Sequence, residues 1–252
     1  MVFSIKNTEG FEILAKDGSI GRVHEYFFDD QKWIIRYLIV DTGLWLEDRR
    51  VLLSPKDFEK PNCDEEVFPV NLSKKQIEES PRIEHHMPVS RQKELELIEH
   101  YDWHDFWPAL GLHMPETALV ISREMTEKRV FEGEEDRKTH DDPHLRSTRE
   151  VLGYHIHATD GTFGHVADFL VNDDNWKLKY LVIDTVNWVP WSKKVLISPK
   201  WLTDINWADR EVKVNLTKQK IKDSPEYHAP DYVTKEFEDR LIEHFKFPRD
   251  LI

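Results

Sequence analysis

Cysteine is nearly absent. Cys63 stands alone among 252 residues, so no intrachain disulfide can staple the fold, and its thiol reads as an ordinary reduced side chain. No run of about 18 uninterrupted apolar residues occurs, and the N-terminal MVFSIKNTEGFEIL lacks the charged segment and apolar core of a secretion signal. Both absences lead to the expectation of a cytoplasmic protein without a membrane span. There is no Gly-rich phosphate loop, no Cys-x-x-Cys pair and no nucleophile elbow, which weighs against the common nucleotide, zinc and hydrolase classes. Positive charge is also scarce: 35 Lys and Arg face 48 Asp and Glu, for a formal net charge of −13. Non-specific nucleic-acid binders draw affinity from clustered cations, so no nucleic-acid partner is expected.

What the chain does contain is an internal duplication. WIIRYLIVDTGLWLEDRRVLLSPK, from Trp33 to Lys56, returns as WKLKYLVIDTVNWVPWSKKVLISPK, from Trp176 to Lys200. Trp33, Tyr37, Leu38, Asp41, Thr42, Trp45, Ser54, Pro55 and Lys56 meet their own kind at Trp176, Tyr180, Leu181, Asp184, Thr185, Trp188, Ser198, Pro199 and Lys200. The offset is 143 before the loop after Asp41-Thr42 and 144 after it, so one residue is inserted there; GLWLEDRR and VNWVPWSKK differ as loops do. Two domains follow naturally from this length. Residues 1–110 form the first repeat with its C-terminal helix, 111–146 a charged linker, and 147–252 the second repeat with its helix.

Local signals recur at the same offsets. Asp17-Gly18 and Asp160-Gly161 sit between short apolar runs, a hairpin signal in which both residues would occupy the turn. Gly21 and Gly164 follow, each marking a bulge or a close backbone approach. Trp33, Ile35, Tyr37 and Ile39 present one apolar strand face; the other, from Ile34 and Arg36 to Leu38 and Val40, runs from mixed to apolar, so that only its second half requires cover. VNLSKKQIEESP and VNLTKQKIKDSP, from Val70 and Val214, agree at seven of twelve positions. Ser73 with Gln76 fits a capping box, so a strand feeding a short helix is expected in each. Amphipathic helices close both repeats, Leu97, Ile98 and Tyr101 matching Leu241, Ile242 and Phe245.

The ordered series GSIGRV and GTFGHV, YLIVDT and YLVIDT, VLLSPK and VLISPK, then VNLSKKQI and VNLTKQKI resembles the PRC-barrel family. It extends over nearly the whole chain outside the linker. The resemblance implies an all-β fold of two tandem small barrels with short helices. They would be like the cytoplasmic domain of the photosynthetic reaction centre H subunit and the C-terminal domain of ribosome maturation factors. It also implies an assembly or adaptor role, with no enzyme chemistry and no cofactor.

Candidate functional residues are few. Asp41-Thr42 and Asp184-Thr185 could be acid/base pairs, but their recurrence at a strand end without a patterned nucleophile fits a turn-stabilising role better. Thirteen His raise a metal reading, for which His155 and His157, two apart on a strand, are the candidates. The first repeat carries Glu12 and Leu14 in their places. Trp45, Trp188 and Trp191 on the variable loops, with Trp103 and Trp107 in the aromatic run after the first repeat, are the interaction candidates. For that run, packing back onto the first barrel is the favoured alternative to exposure. The expected function is a protein-interaction or assembly adaptor, with a protein partner and room for a homo-oligomer. A metal- or ligand-binding sensor using the His-rich second repeat is the second reading, and a ribosome-associated factor the third.

Overall fold

A computed structural model describes residues 2–47, 49–81, 91–103, 144–185, 193–228 and 233–246. The chain is all-β, with two sheets built from equivalent strands and a few short helices. In the first half these are β1 (Val2–Ser4), the one-turn α1 (Ile5–Thr8), β2 (Glu12–Ala15), β3 (Gly18–Asp29), β4 (Ile34–Asp41), β5 (Arg50–Leu53), β6 (Val67–Pro69), α2 (Lys74–Glu78) and α3 (Arg91–Tyr101). The second half has β7 (Leu145–Ser147), the one-turn α4 (Thr148–Val151), β8 (His155–Ala158), β9 (Gly161–Asn172), β10 (Leu178–Asp184), β11 (Lys194–Ile197), β12 (Leu202–Asn206), β13 (Glu211–Val214), α5 (Lys218–Lys222) and α6 (Lys235–Phe245). Strand β7 begins inside the segment read as linker. The rest of that segment, 111–143, lies outside the described residues.

The sheet orders are β5-β4-β3-β2-β6 and β11-β10-β9-β8-β13-β12, with β2–β6 and β8–β13 parallel and the remaining pairs antiparallel. Residues 58–62 of the first half, which bridge Phe58 to Val70 and Asn62 to Val67, take the place that β12 fills in the second. Among the described residues the strand order runs open from end to end, so what is shown is the two-sheet all-β architecture rather than closure into barrels.

The two halves exchange their first strands. β1 does not join its own sheet but pairs with β9, aligning Val2 with Asn172, Phe3 with Val171 and Ser4 with Leu170. β7 returns the exchange on β3, aligning Leu145 with Asp29, Arg146 with Phe28 and Ser147 with Phe27. Every pair in one set is displaced by 143 from its counterpart in the other, so the exchange is reciprocal and symmetric. Side chains hold it in place. Ser4 donates its hydroxyl to Asp168, whose other oxygen accepts from the backbone N–H of Lys6 at 3.0 Å. Ser147 donates to Glu25 at 2.6 Å, and Thr148 to the carbonyl of Tyr26 at 3.1 Å.

Between the exchanged strands, β4 and β10 meet at their starts. Trp33 and Trp176 both adopt left-handed backbone, φ 55° and 57°, after turns in which each N–H returns to the carbonyl four residues back, Asp29 or Asn172, at 2.8 Å. This conformation is rare for a bulky residue. It turns the Trp carbonyls toward the other half: Ile35 N–H donates to Trp176 at 2.9 Å, and Leu178 N–H to Trp33 at 2.7 Å. The Trp176 ring then lies among Phe3, Phe58 and Phe68, centroids 5.7 to 6.1 Å away, while Phe28 stacks on Trp33 and touches Phe169. One apolar core therefore runs through both halves.

Strand β4 is buried along both faces up to Val40. The expectation of a half-covered second face is corrected at Arg36, which is buried and lies 3.8 Å from the equally buried Asp29 carboxylate. In the other half Lys179 meets Glu238 of α6 at 2.5 Å, and Tyr180 donates to the same carboxylate at 3.2 Å. The closing helices dock alike in both halves. His100 lies 2.7 Å from the carbonyl of Gln76, and His244 lies 2.6 Å from that of Lys220, at the ends of α3 and α6 against α2 and α5.

The hairpin turns differ in detail from the expectation. Ala15 pairs with Gly18 and Ala158 with Gly161, so Lys16-Asp17 and Thr159-Asp160 occupy the turn and only the Gly that follows has positive φ. The Asp is repeated for another reason. Asp17 accepts the N–H of Lys74, and Asp160 that of Lys218, both at 2.8 Å, supplying an acceptor to the open first turn of the short helix. The expected capping box at Ser73 and Gln76 is present, and Thr217 caps the second copy.

Gly21 and Gly164 border or occupy the bulges between β2 and β3 and between β8 and β9, and both lie close to backbone. A Cβ on Gly21 would stand 2.1 Å from the carbonyl oxygen of Asp41, and one on Gly164 2.5 Å from that of Asp184. Gly21→Ala and Gly164→Ala are expected to lower unfolding free energy by roughly 2–4 kcal/mol each, since backbone must move and positive φ is retained; urea denaturation measures this. The strand exchange makes a second prediction. With a protease site inserted between residues 104 and 143, the cleaved halves should co-elute in size-exclusion chromatography without denaturant and separate in it. Separation under native conditions would contradict the shared core.

Candidate interaction surface

The loop after β4 has a fixed base and a free tip. Thr42 donates its hydroxyl to the carbonyl of Arg49 at 2.5 Å, and the Asp41 carboxylate accepts the N–H of Gly43 at 3.0 Å. Arg49 reaches to the end of α2, donating to the carbonyl of Glu78 at 3.0 Å, to the hydroxyl of Ser80 at 2.9 Å, and to the Ser80 carbonyl. The second half repeats this design with a different cation. Thr185 donates to the carbonyl of Lys193 at 2.8 Å, and the Lys193 ammonium donates to the carbonyls of Lys222 and Ser224, each at 2.6 Å. Thr42 and Thr185 thus hold the loop bases, and Asp41 is engaged with backbone, the turn-stabilising role that recurrence suggested.

Beyond its base the first loop makes a single 3-10 turn, Gly43–Leu46. Leu44 is 92% exposed, far more than any other large hydrophobic among the described residues. Trp45 is half-buried, packs against the core and has the Lys74 ammonium 5.3 Å from its ring centroid. The indole therefore braces the tip from below while Leu44 stands out from it. Trp188 and Trp191 on the corresponding loop, and Trp107, lie outside the described residues.

Trp103 is corrected from a docking candidate to a core residue. It is 0% exposed, stacks on Tyr101 at 4.7 Å, and donates its indole N–H to Asp57 at 2.7 Å. The start of the aromatic run thus packs back onto the first repeat. In the other half Trp201 occupies the position of Asp57 and packs on Phe245, the counterpart of Tyr101, at 4.7 Å. The aromatic ring that fills this corner comes from opposite sides in the two copies. Sequence matching missed Asp57 because its role depends on a partner 46 residues away.

His155 and His157 lie on one side of β8, whose burial alternates with Ile156 and Ala158 facing inward. Nδ1 of His155 is 3.3 Å from the carbonyl of Gly164; Nδ1 of His157 is 3.1 Å from the Thr162 hydroxyl and 3.7 Å from Glu211. A shallow open depression is lined by His157 with Thr159, Thr203, Lys213 and Asn215. Among the described residues no three His, Cys, Asp or Glu side chains converge as a ready metal site, and no helix is long and apolar enough to cross a membrane. No known family model matches the chain, and no curated protein matches it in sequence.

Burial pushes the Asp57 carboxyl up to about 6, against the opposing pull of the Trp103 hydrogen bond. The folded state thus holds this proton more tightly than the unfolded chain. Asp57's contribution to stability is therefore most favourable below about pH 4 and is lost as pH rises through about 6. Asp57→Asn keeps an oxygen acceptor for Trp103 and removes the buried charge. Urea melts should show the variant more stable than the parent by about 1–2 kcal/mol at pH 7.5 and nearly equal to it at pH 4.

Proposed function

We propose that this chain is a non-enzymatic interaction or assembly adaptor of the PRC-barrel type, its two repeats presenting two different docking loops from one rigid body. The observation that supports this reading most directly is the contrast within the variable loop. Its base is pinned in the same way in both halves, while its tip differs in sequence and, in the first half, carries Leu44 almost fully in solvent. A large apolar side chain held out on a braced turn suits insertion into a partner's pocket, where buried apolar anchors dominate binding energy. The repeated motifs support the PRC-barrel resemblance, and that resemblance supplies the expectation of an assembly role of the reaction-centre H type. A cytoplasmic protein partner fits that role, and the acidic charge favours a partner surface with basic groups around the apolar contact.

The test replaces the tip without touching the base. Leu44→Asp should leave unfolding free energy within about 0.5 kcal/mol of the parent, because the side chain is already exposed. It should weaken capture of the native partner tenfold or more. Grafting residues 186–192 in place of 43–48 should do the same. A partner retained at full affinity by Leu44→Asp, by the graft and by alanine at Trp188 and Trp191 would overturn the loop assignment.

A further inference from the structure

We propose that His155 and His157 form a chelating pair for a divalent first-row transition ion on the exposed face of the second sheet. The inference is independent of the adaptor reading. It rests on how the imidazoles are held. The carbonyl of Gly164 can only accept a hydrogen bond, so the contact at 3.3 Å requires His155 to carry its proton on Nδ1. Its Nε2 then bears the lone pair. His157 has Nδ1 between the Thr162 hydroxyl and the Glu211 carboxylate, at 3.1 and 3.7 Å, and a carboxylate neighbour favours a proton on the same nitrogen. Both rings thus have Nδ1 beside oxygen atoms, with Nε2 as the atom available to a metal, the arrangement by which outer oxygen partners orient metal-binding histidines.

Placement agrees with this. The alternation of β8 puts both rings on the side away from Ile156 and Ala158, with one residue between them. His165 of β9 is directly in register with His155 across the antiparallel pair, and Glu211 of β13 is in register with His155 on the parallel side. As the side chains stand, no three of them converge. The site is therefore a two-imidazole chelate completed by water, and His165, only partly buried, is the side chain that can swing in as a third ligand. The first half has Glu12, Leu14 and Arg22 at the matching positions, so the device belongs to the second repeat alone. Imidazole ligands on an open surface select copper, nickel or zinc over magnesium or calcium, with Cu(II) binding tightest by the general order of stabilities.

The probes are Cu(II) and Zn(II), each titrated calorimetrically into the full chain purified without a histidine tag. The expected result is a saturable event, tighter for Cu(II), whose stoichiometry falls by one equivalent in the His155→Asn/His157→Asn double variant. It should be unchanged in His228→Asn, an exposed control. Each single variant should weaken that event by roughly tenfold or more. Substoichiometric Cu(II) should broaden the ring signals of His155 and His157 before those of His228. An unchanged stoichiometry in the double variant, with circular dichroism showing it folded, would overturn the proposal, as would first broadening at histidines other than His155, His157 and His165.

Discussion

The structure depends on the exchange of β1 and β7. Each is only three residues long, too short to hold a place by its own ladder, yet each completes the sheet of the opposite half and carries a one-turn helix behind it. Because the exchange is reciprocal, neither sheet is complete without the other repeat. The crossed hydrogen bonds of Trp33 and Trp176 and the Phe3, Phe58, Phe68 and Trp176 cluster then fill the space it encloses. The left-handed conformation of the two Trp residues costs of order 1–3 kcal/mol each. It persists because the carbonyls it redirects find partners across the symmetric junction.

This arrangement has the form of a dimer with swapped N-terminal strands, fused into one chain. Fusion replaces a bimolecular association with an internal one at high effective concentration, so the shared core forms at any dilution. It also frees the halves from having identical surfaces. What stayed alike is what the joint core and the helix docking need. Asp17 and Asp160 supply the acceptor at the short helix, His100 and His244 meet the helix-end carbonyls, and Thr42 and Thr185 close the loop bases. Among what diverged are the sequences of the loop tips and the outer face where Glu12, Leu14 and Arg22 stand against His155, His157 and His165. Even the substitution of Arg49 by Lys193 preserves the contact with the carbonyls at and just beyond the ends of α2 and α5.

Much of this was legible in the sequence because duplication serves as its own control. The succession of strands and short helices along the chain, the close approach at Gly21 and Gly164, the caps at Ser73 and Thr217, and the structural role of Asp41-Thr42 all follow from residues repeated at matching offsets. The exchange was not legible. Val2–Ser4 and Leu145–Ser147 are too short for periodicity to mark them, and pairing with the other half leaves the same local pattern as pairing with one's own. Arg36 was misread because polarity on a strand face suggests solvent, whereas here Asp29, seven residues earlier, enters the interior with it. Trp103 was ambiguous for a similar reason. An aromatic run at the end of a helix can cover a core or extend from it, and only the acceptor on Asp57 decides between them.

The two halves solve one packing problem differently around that Trp, and the solutions differ in chemistry. In the first, an indole brought by the C-terminal segment needs a polar acceptor, and Asp57 provides it at the expense of holding a carboxylate in a poorly solvated corner. In the second, Trp201 already stands where Asp57 would be, and Phe245 packs against it with the rings tilted by 48°. The first corner therefore carries a titratable carboxyl at this position, and it joins α3 to the turn that follows β5. That turn sits on the same sheet edge as the base of the loop bearing Leu44, because β5 leaves the loop at Arg50 and enters the turn after Leu53. A titratable packing element and an exposed apolar tip thus lie at opposite ends of one four-residue strand, and the second repeat has no counterpart of Asp57.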